Sequence, residues 1–389
     1  MNAQISFLNG TYTLIHIPLD LYSTLLQPIL RVLLPQTQNL NVSQPSPEHE
    51  LEGLSAENQH GFLNISVTPL ECSVVCHSSW AMNVFLPFIN TLPPDVAKNV
   101  IVFQGSYMVL SIISAGVDAA GRVIELSSPL ALAGIPIFFI TTYYSDFILV
   151  PSKERRNVIK ALSSHGFELS ENQSDFVNSF VYGRKNSTGQ SVSPPSTPPP
   201  SNASELQART FDLLQKRHVS PFAADGLQLV QCSGREISQL NNSCCHRSTG
   251  RQALTMDHRQ SWIENVDTKL YTCIISALVS RPRFMSLTLA QDDPPSLLLD
   301  RKLLPLFGDS IVGDIDTSFV PIFLDLVNLS SGVTGIVCGV AGRLVQDMHM
   351  IETSELSYLS TARAGAVILT EEQSARALSI LQPLLEKEG

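Results

Sequence analysis

Three short stretches of the sequence hold the residue types that hydrolytic enzymes use: HSSW at 77–80, GDSIVGDID at 308–316 and DMHM at 347–350. A nucleophile needs a base within hydrogen-bond reach and a third group that orients the base. Lone histidines and aspartates are more often surface or capping groups, and GDSIVG lacks the Gly-X-Ser-X-Gly spacing of a nucleophile elbow. The sequence therefore predicts a protein that is not an enzyme.

Two further stretches contain residues that bind metals or phosphates in other proteins. Cys244, Cys245 and His246 offer metal ligands, but the seven cysteines include no CxxC pair, so we favour reduced thiols in a loop. The glycines of GVAGRL (339–344) lie inside an apolar helical run without a Lys-Ser/Thr ending, which favours close helix packing over a phosphate loop. We expect neither a metal nor a cofactor.

The composition argues against two classes of partner. The 389 residues carry a formal net charge of −10, whereas nucleic-acid-binding proteins present basic patches. The longest apolar stretch, 319–345, is interrupted by Asp325 and Asn328, so no membrane insertion is predicted. Because MNAQISFLNG lacks the basic region of a signal peptide, we expect a cytoplasmic protein.

Polar tracts divide the chain. Residues 35–60 have few apolar anchors and are predicted to form a loop inside the first domain. The Ser/Pro-rich segment STGQSVSPPSTPPPSNASE lies within residues 171–209, which we predict to be a disordered linker. A third polar stretch, 243–260, is predicted to be a loop in the second half. The chain length favours two to four domains.

An internal repeat relates the two halves of the chain. Residues 140–162 align with 359–381, and residues 121–134 align with 335–348. The two aligned segments of the second half are separated by five more residues than those of the first half. The alignment places Thr142 on Thr361, and two matches in the same order favour duplication. Each unit follows the order β-α-β-β-α with an expected final strand. In the first copy, the first helix is predicted to run from about Asp118 to Ala133, with Gly134 as its left-handed cap.

Two poorer copies precede these units, so the predicted fold class is α/β (α+β), with four tandem ferredoxin-like units (βαββαβ) in two halves. The first unit of each half is predicted from TYTLIHIPL and GLQLVQC onward. The predicted divisions are unit 1 at 1–95, unit 2 at 96–170, the linker at 171–209, unit 3 at 210–305 and unit 4 at 306–389.

Four segments of the chain together resemble a known family, and they occur in the order LYSTLLQPILRVLLP, ITTYYSDFILV, GIVCGVAGRL and SYLSTARAGAVIL. The chain resembles the CASTOR-type (GATS-like) cytosolic arginine sensors, which are tandem ACT-domain proteins. The resemblance spans nearly the whole chain except the linker and the loops. It implies a non-enzymatic sensor in which one amino acid sits between the second and fourth ACT units. It also implies a homodimer, and an empty state that binds a GATOR-type complex and so restrains the target-of-rapamycin kinase complex.

Carried over from that family, the ligand-binding residues are Ile137, Gly335, Ile336 and Thr361. A helix that starts at Gly335 would offer free N–H groups to an α-carboxylate. Four positions depart from the family. Pro136 does not match its contact residue, Ala362 replaces an aromatic, Val333 replaces a carboxylate, and Gly365 replaces the aspartate that meets the guanidinium. An unpaired guanidinium in a dry pocket costs several kcal/mol, so we do not expect tight arginine binding.

In the same family the hairpin of the second unit contacts the partner complex, and the matching residues are Tyr143, Tyr144 and Asp146, expected to be exposed at the turn. A purely structural interpretation of the hairpin is also open, because Asp and Ser are common turn residues and tyrosines tolerate half-burial at strand ends.

Two alternatives to a sensor remain. One is an ACT-domain interaction module without a ligand, and the other is a regulatory subunit of an amino-acid biosynthetic enzyme. In the fourth unit, Glu352 and Glu355 are candidates to replace the missing acids.

Overall fold

The computed structural model describes residues 3–34, 61–114, 119–170, 200, 202–235, 267–290, 293–330, 332–350 and 355–386. The predicted loops at 35–60 and 243–260 lie outside these residues, and so does most of the predicted linker. Cys244, Cys245, His246 and Glu352 lie outside them as well.

The described residues form seventeen strands and seven helices of eight residues or more. The strands are β1 Ala3–Phe7, β2 Tyr12–Ile17, β3 Phe62–Val67, β4 Cys72–His77, β5 Ile101–Val102, β6 Tyr107–Ser114, β7 Phe138–Thr141, β8 Asp146–Pro151, β9 Glu168–Ser170, β10 Pro221–Ala223, β11 Leu229–Gly234, β12 Met285–Ala290, β13 Ser296–Asp300, β14 Ile311–Val312, β15 Phe319–Asp325, β16 Ser357–Ser360 and β17 Ala364–Thr370. The helices are α1 Leu26–Leu33, α2 Ala119–Leu132, α3 Arg155–Ser164, α4 Ala203–Lys216, α5 Thr268–Val279, α6 Ile336–Met348 and α7 Glu371–Leu385. Shorter helical segments include Ser78–Trp80, Ala81–Phe85, Leu86–Ile89 and Leu304–Phe307.

The strands form two sheets, joined to each other by single residue pairs at Tyr12–Tyr107 and Leu229–Phe319. The nine-strand sheet has the order β9-β1-β6-β8-β7-β16-β17-β15-β10. The eight-strand sheet has the order β5-β2-β4-β3-β12-β13-β11-β14. In both sheets the two halves of the chain lie side by side, through β7 and β16 in one and through β3 and β12 in the other.

Side chains alternate between cores on the two faces of each strand, as the period of two in a strand requires. On β6, Val109 belongs to a central core shared by both sheets, and Leu110 packs under helices. The central core includes Phe62 of the eight-strand sheet against Phe147 of the nine-strand sheet, with ring centroids 4.9 Å apart. The sheets therefore pack face to face, and helices cover their outer faces.

The two segments aligned by the internal repeat adopt the predicted order of elements, strand, helix, two strands and helix. Helix α2 begins and ends within one residue of the prediction, and Gly134 has the left-handed φ of +71°. The apolar run IPIFFIT at 135–141 predicts the following strand from Ile135 onward. The strand begins at Phe138 instead, because the N–H of Ile135 bonds back to the carbonyl of Leu130 at 2.9 Å.

Three predicted divisions need correction. Strand β1, assigned to unit 1, pairs with β6 and β9 of the residues assigned to unit 2. Helix α4 begins inside the predicted linker, because Asn202 caps it and Leu206, Thr210 and Leu214 form a buried stripe at helical spacing. Helix α4 and strand β10 pack with α6 and β15, so they belong with unit 4 and not with unit 3.

Helix α4 also explains the glycines of GVAGRL. A Cβ at Gly339 would lie 2.8 Å from Thr210 Cγ2, and one at Gly342 would lie 2.7 Å from Gln207 Nε2. The interpretation as close helix packing is confirmed. No helix among the described residues is both long enough and apolar enough to cross a membrane.

Candidate functional site

A cavity of about 210 Å³ lies between the residues around β7 and the end of the β15–β17 sheet where α6 begins. The four predicted ligand-binding residues, Ile137, Gly335, Ile336 and Thr361, all line it. The other lining residues are Ile101, Phe103, Phe138, Leu326, Leu329, Ser330, Val333, Val337, Tyr358, Ser360, Ala362, Arg363 and Ala364. The fold therefore brings together residues that are up to 263 positions apart, from Ile101 to Ala364.

Helix α6 points its N-terminus into this cavity. Gly335 is the N-cap with a φ of +87°, and no side chain caps the helix. A Cβ at Gly335 would also lie 2.7 Å from Leu206 Cδ1, so both the backbone and the packing require glycine. The first N–H groups of a helix have no intrahelical acceptor and carry the positive end of its dipole. This end of the cavity attracts an anion.

Tyr358 also lines the cavity, with a buried side chain. Its side chain is 1% exposed, and its hydroxyl has no hydrogen-bond partner among the described residues. Burial raises the pKa of Tyr358, so the hydroxyl keeps its proton at neutral pH. A buried hydroxyl without a partner costs free energy.

The turn between β16 and β17 closes one side of the cavity, and Glu71 of the eight-strand sheet holds it. Oε1 of Glu71 accepts hydrogen bonds from the Thr361 hydroxyl at 2.6 Å and from the Arg363 N–H at 2.7 Å. Its Oε2 contacts His16 Nδ1 at 2.5 Å. The Ala362 N–H donates to Ser73 Oγ at 3.1 Å.

Glu71 is 1% exposed and was missed by sequence reasoning. The signal was an acid within the strand-forming run FLNISVTPLECSVVC at 62–76, where a charge is unusual. The contact also changes the expectation for Thr361, because its hydroxyl already donates to this carboxylate.

The positions where the family has acids carry none here. Val333 lines the cavity with a half-buried apolar side chain. A Cβ at Gly365 would lie 2.6 Å from the Tyr358 hydroxyl, so an aspartate there would displace the ring. Glu355 is exposed and does not line the cavity. Arg363 is the one charged side chain on the described lining, and its guanidinium donates to the Val327 carbonyl at 2.9 Å.

The turn between β7 and β8 presents a different surface. Tyr143 and Tyr144 are 37% and 49% exposed, with ring centroids 4.8 Å apart at 77°. The Tyr143 N–H donates to Ser296 Oγ at 2.9 Å, which fixes the turn on the eight-strand sheet. The expected exposure of both tyrosines is confirmed, while their role in binding a partner stays a prediction.

The expected exposure of Asp146 is wrong. Its side chain is buried, with Oδ2 3.0 Å from Arg122 Nε, and Oδ1 has no partner among the described residues. Burial raises the pKa of Asp146 to about 6, and the charge of Arg122 offsets part of this rise. Asp146 is the first residue of β8, and the side chain of Arg122 that pairs with it is 25% exposed.

Comparison with known proteins identifies one family. Residues 102–164 match the ACT domain model. No curated protein matches the chain. Among solved structures, an aspartate kinase from Synechocystis is 13% identical, covering 99% of this chain and 56% of its own, with a TM-score of 0.32.

Two shorter structures are also similar to parts of the chain. A protein from Agrobacterium tumefaciens is 22% identical, covering 44% of this chain and 93% of its own, with a TM-score of 0.27. The ligand-free regulatory subunit of aspartate kinase from Thermus thermophilus is 12% identical, covering 42% and 97%, with a TM-score of 0.26. The residues that match the ACT domain model contain strands β6 to β8 and helices α2 and α3, and three of the matched residues, Phe103, Ile137 and Phe138, line the cavity.

Proposed function

We propose that this protein is a tandem ACT-domain regulator that binds one amino acid in the cavity between unit 2 and unit 4. One observation carries the proposal. A cavity lined by an uncapped helix N-terminus and by apolar side chains lies against the residues that match the ACT domain, a module that typically binds amino acids. The regular β-α-β-β order of the other three groups of elements supports their assignment as further ACT units.

The finer proposal is that ligand binding controls a protein partner. The turn that carries Tyr143 and Tyr144 is the exposed aromatic feature of the ACT domain at 102–164, and exposed aromatic pairs are frequent binding anchors. The resemblance of ITTYYSDFILV to the CASTOR-type sensors suggests a GATOR-type complex upstream of the target-of-rapamycin kinase complex, and a homodimeric state.

A thermal-shift screen of the full chain against the twenty amino acids tests the proposal. An amino acid at 100 times its Kd stabilises the folded state by about 2.7 kcal/mol, which a melting curve resolves easily. If no amino acid raises the melting temperature at millimolar concentration, the protein is an interaction module without a ligand. Co-purification with a biosynthetic enzyme would instead favour the regulatory-subunit alternative.

A pair of variants shows whether the shift comes from this cavity. Val333→Trp fills the cavity from the loop before α6, and should remove the ligand-induced shift. Val327→Trp places the same side chain on the same loop at an exposed position outside the lining, and should keep it. An equal response of both variants would place the ligand elsewhere.

A further inference from the structure

We propose that the chain contains a second ligand site, the symmetry counterpart of the cavity, and that the side chain of Arg122 fills it as an internal ligand. Without Arg122, this site takes a free guanidinium compound on the carboxylate of Asp146. The second site lies apart from the cavity, so its test is independent of the proposed function.

The two halves of the nine-strand sheet are related by an approximate two-fold axis. Ile140 and Leu359, which the internal repeat aligns with each other, are also partners in the contact between β7 and β16, so the axis passes between them. Helices α2 and α6, which the repeat also aligns, contact each other on one face of this sheet. A lining residue of β16 or α6 therefore has a counterpart in the other half.

Two hydrogen bonds between the halves follow the same symmetry. The Phe139 N–H donates to Ser360 Oγ at 2.9 Å, and its counterpart is the bond from the Tyr358 N–H to Thr141 Oγ1 at 3.0 Å. Ser360 lines the cavity, so Thr141 marks the equivalent place in the other half. In the pairing of β7 with β8, Thr141 stands opposite Asp146. The counterpart of the cavity thus contains a buried acid.

The counterpart of the cavity is occupied by the chain itself. The repeat aligns Ile336, which lines the cavity at the start of α6, with Arg122. Helix α2 begins at Ala119, so it already runs where the other half has the lining loop of Val333 and Gly335. The extra helical residues and the Arg122 side chain therefore take the place that the cavity has in the other half.

Asp146 binds this guanidinium through only one of its oxygens. Arg122 Nε donates to Asp146 Oδ2 at 3.0 Å, and the carboxylate is buried. The other oxygen, Oδ1, has no hydrogen-bond partner among the described residues. A free guanidinium can donate to both oxygens of a carboxylate at once, which a side chain tethered to α2 does not do here. The chemical class that fits the site is therefore a small guanidinium cation.

Arg122 keeps such a cation out of the wild-type site. A tethered group competes with a free one at an effective concentration of roughly millimolar or more. The Arg122 side chain is 25% exposed, so its removal opens the buried carboxylate to solvent-borne compounds. A buried carboxylate without a counter-charge is unfavourable, and this favours the binding of a cation in place of Arg122.

Chemical rescue with methylguanidinium tests the site. Because burial raises the pKa of Asp146 to about 6, the measurement is made at about pH 8. About 10 mM methylguanidinium chloride should raise the melting temperature of full-chain Arg122→Ala by at least about 2 °C relative to equal sodium chloride. The wild type, whose site is occupied, and Arg122→Ala/Asp146→Asn, which lacks the carboxylate, should show no rise. No rise in Arg122→Ala, or an equal rise in either control, overturns the inference.

Two further results separate this site from a general effect on folding and from the cavity. If Arg122→Ala does not fold by itself, methylguanidinium should restore its folding, and a failure of this rescue overturns the inference. Val333→Trp fills the cavity and should leave the rise in Arg122→Ala unchanged. A loss of the rise would place the cation in the cavity and overturn the second site. The amino-acid screen of the wild type reports on the cavity alone, so the two proposals fail separately.

Discussion

The turn after β7 and the turn after β16 are equivalent in the internal repeat and are built alike. Thr142 N donates to the Ser145 carbonyl at 3.0 Å, and Thr361 N donates to the Ala364 carbonyl at 2.9 Å. In each turn the next N–H donates to a serine of the eight-strand sheet, Ser296 in one and Ser73 in the other. The scaffold of the two turns is therefore the same.

The turns differ in where their buried carboxylate comes from. After Ser145 the chain supplies its own acid, Asp146, which is neutralised by Arg122 from α2. At the corresponding position the second turn has Gly365, and its acid is Glu71 from the other sheet. Glu71 stands two residues before Ser73, whereas Pro294 stands two residues before Ser296. The buried carboxylate of the first turn thus comes from its own strand, and that of the second turn comes across the contact between the sheets.

The largest effect is expected from breaking that contact. Glu71→Ala leaves Thr361, His16 and the Arg363 N–H without their buried acceptor, and should lower the free energy of unfolding by about 3–5 kcal/mol. Denaturant unfolding measures the loss. Glu71→Gln keeps an acceptor for the turn and should lose less. If Glu71→Ala is as stable as the wild type, the turn after β16 is held by its own unit, as the first one is.

The next largest effect is expected at the turn after β7, which carries Asp146. There the free energy of unfolding should depend on pH. The unfolded carboxyl titrates near 3.8 and the folded one near 6, so between these values the folded protein holds more protons. Stability contributed by this group is fully present below pH 3.8 and is lost as pH rises through about 6. Relative to Asp146→Asn, the wild type should lose about 2–3 kcal/mol from pH 4 to pH 7.

Unfolding of both proteins in urea across that range measures the difference. A parallel pH dependence of the wild type and Asp146→Asn would mean that Arg122 compensates the burial fully, and that the first turn gains from its charge pair as much as the second gains from Glu71.

The sequence predicts the local elements of these turns well and their long-range contacts poorly. The apolar run IPIFFIT and the segment DFILV predict two strands with a tight turn because their β-formers and turn residues agree. The hydrogen bond between Thr361 and Glu71 joins residues 290 positions apart, and the sequence around either residue does not indicate the other as its partner.

The same limit explains the other errors. Asp146 was expected at the surface because an aspartate after a serine is typical of turns. Its burial depends on Arg122, which approaches from a helix and is not visible in the hairpin itself. The start of helix α4 was assigned to the linker because the buried stripe of Leu206 and Leu214 directly follows a Ser/Pro-rich tract. The residues that line the cavity were found through resemblance, since no local pattern marks them.

A smaller effect is expected from adding a Cβ at Gly365 in the turn after β16, since the equivalent position of the turn after β7 carries the side chain of Asp146. Gly365→Ala places a Cβ 2.6 Å from the hydroxyl of the buried Tyr358. The variant should lose about 1–2 kcal/mol of stability. In a Tyr358→Phe background the same substitution should cost about nothing, because the colliding oxygen is absent. Equal losses in both backgrounds would show that another contact excludes a side chain at Gly365.

The smallest effect on stability is expected at the exposed tip of the first turn. The rings of Tyr143 and Tyr144 contact each other, and the bond that fixes the turn is made by the Tyr143 backbone, which alanine retains. The double variant Tyr143→Ala/Tyr144→Ala should therefore stay within about 0.5 kcal/mol of the wild type and yet lose the partner in affinity purification. The matched control is Arg363→Ala in the other turn, which removes an exposed side chain bonded to the Val327 carbonyl and should retain the partner. If the tyrosine variant keeps the partner, the two turns do not divide their roles between partner and ligand.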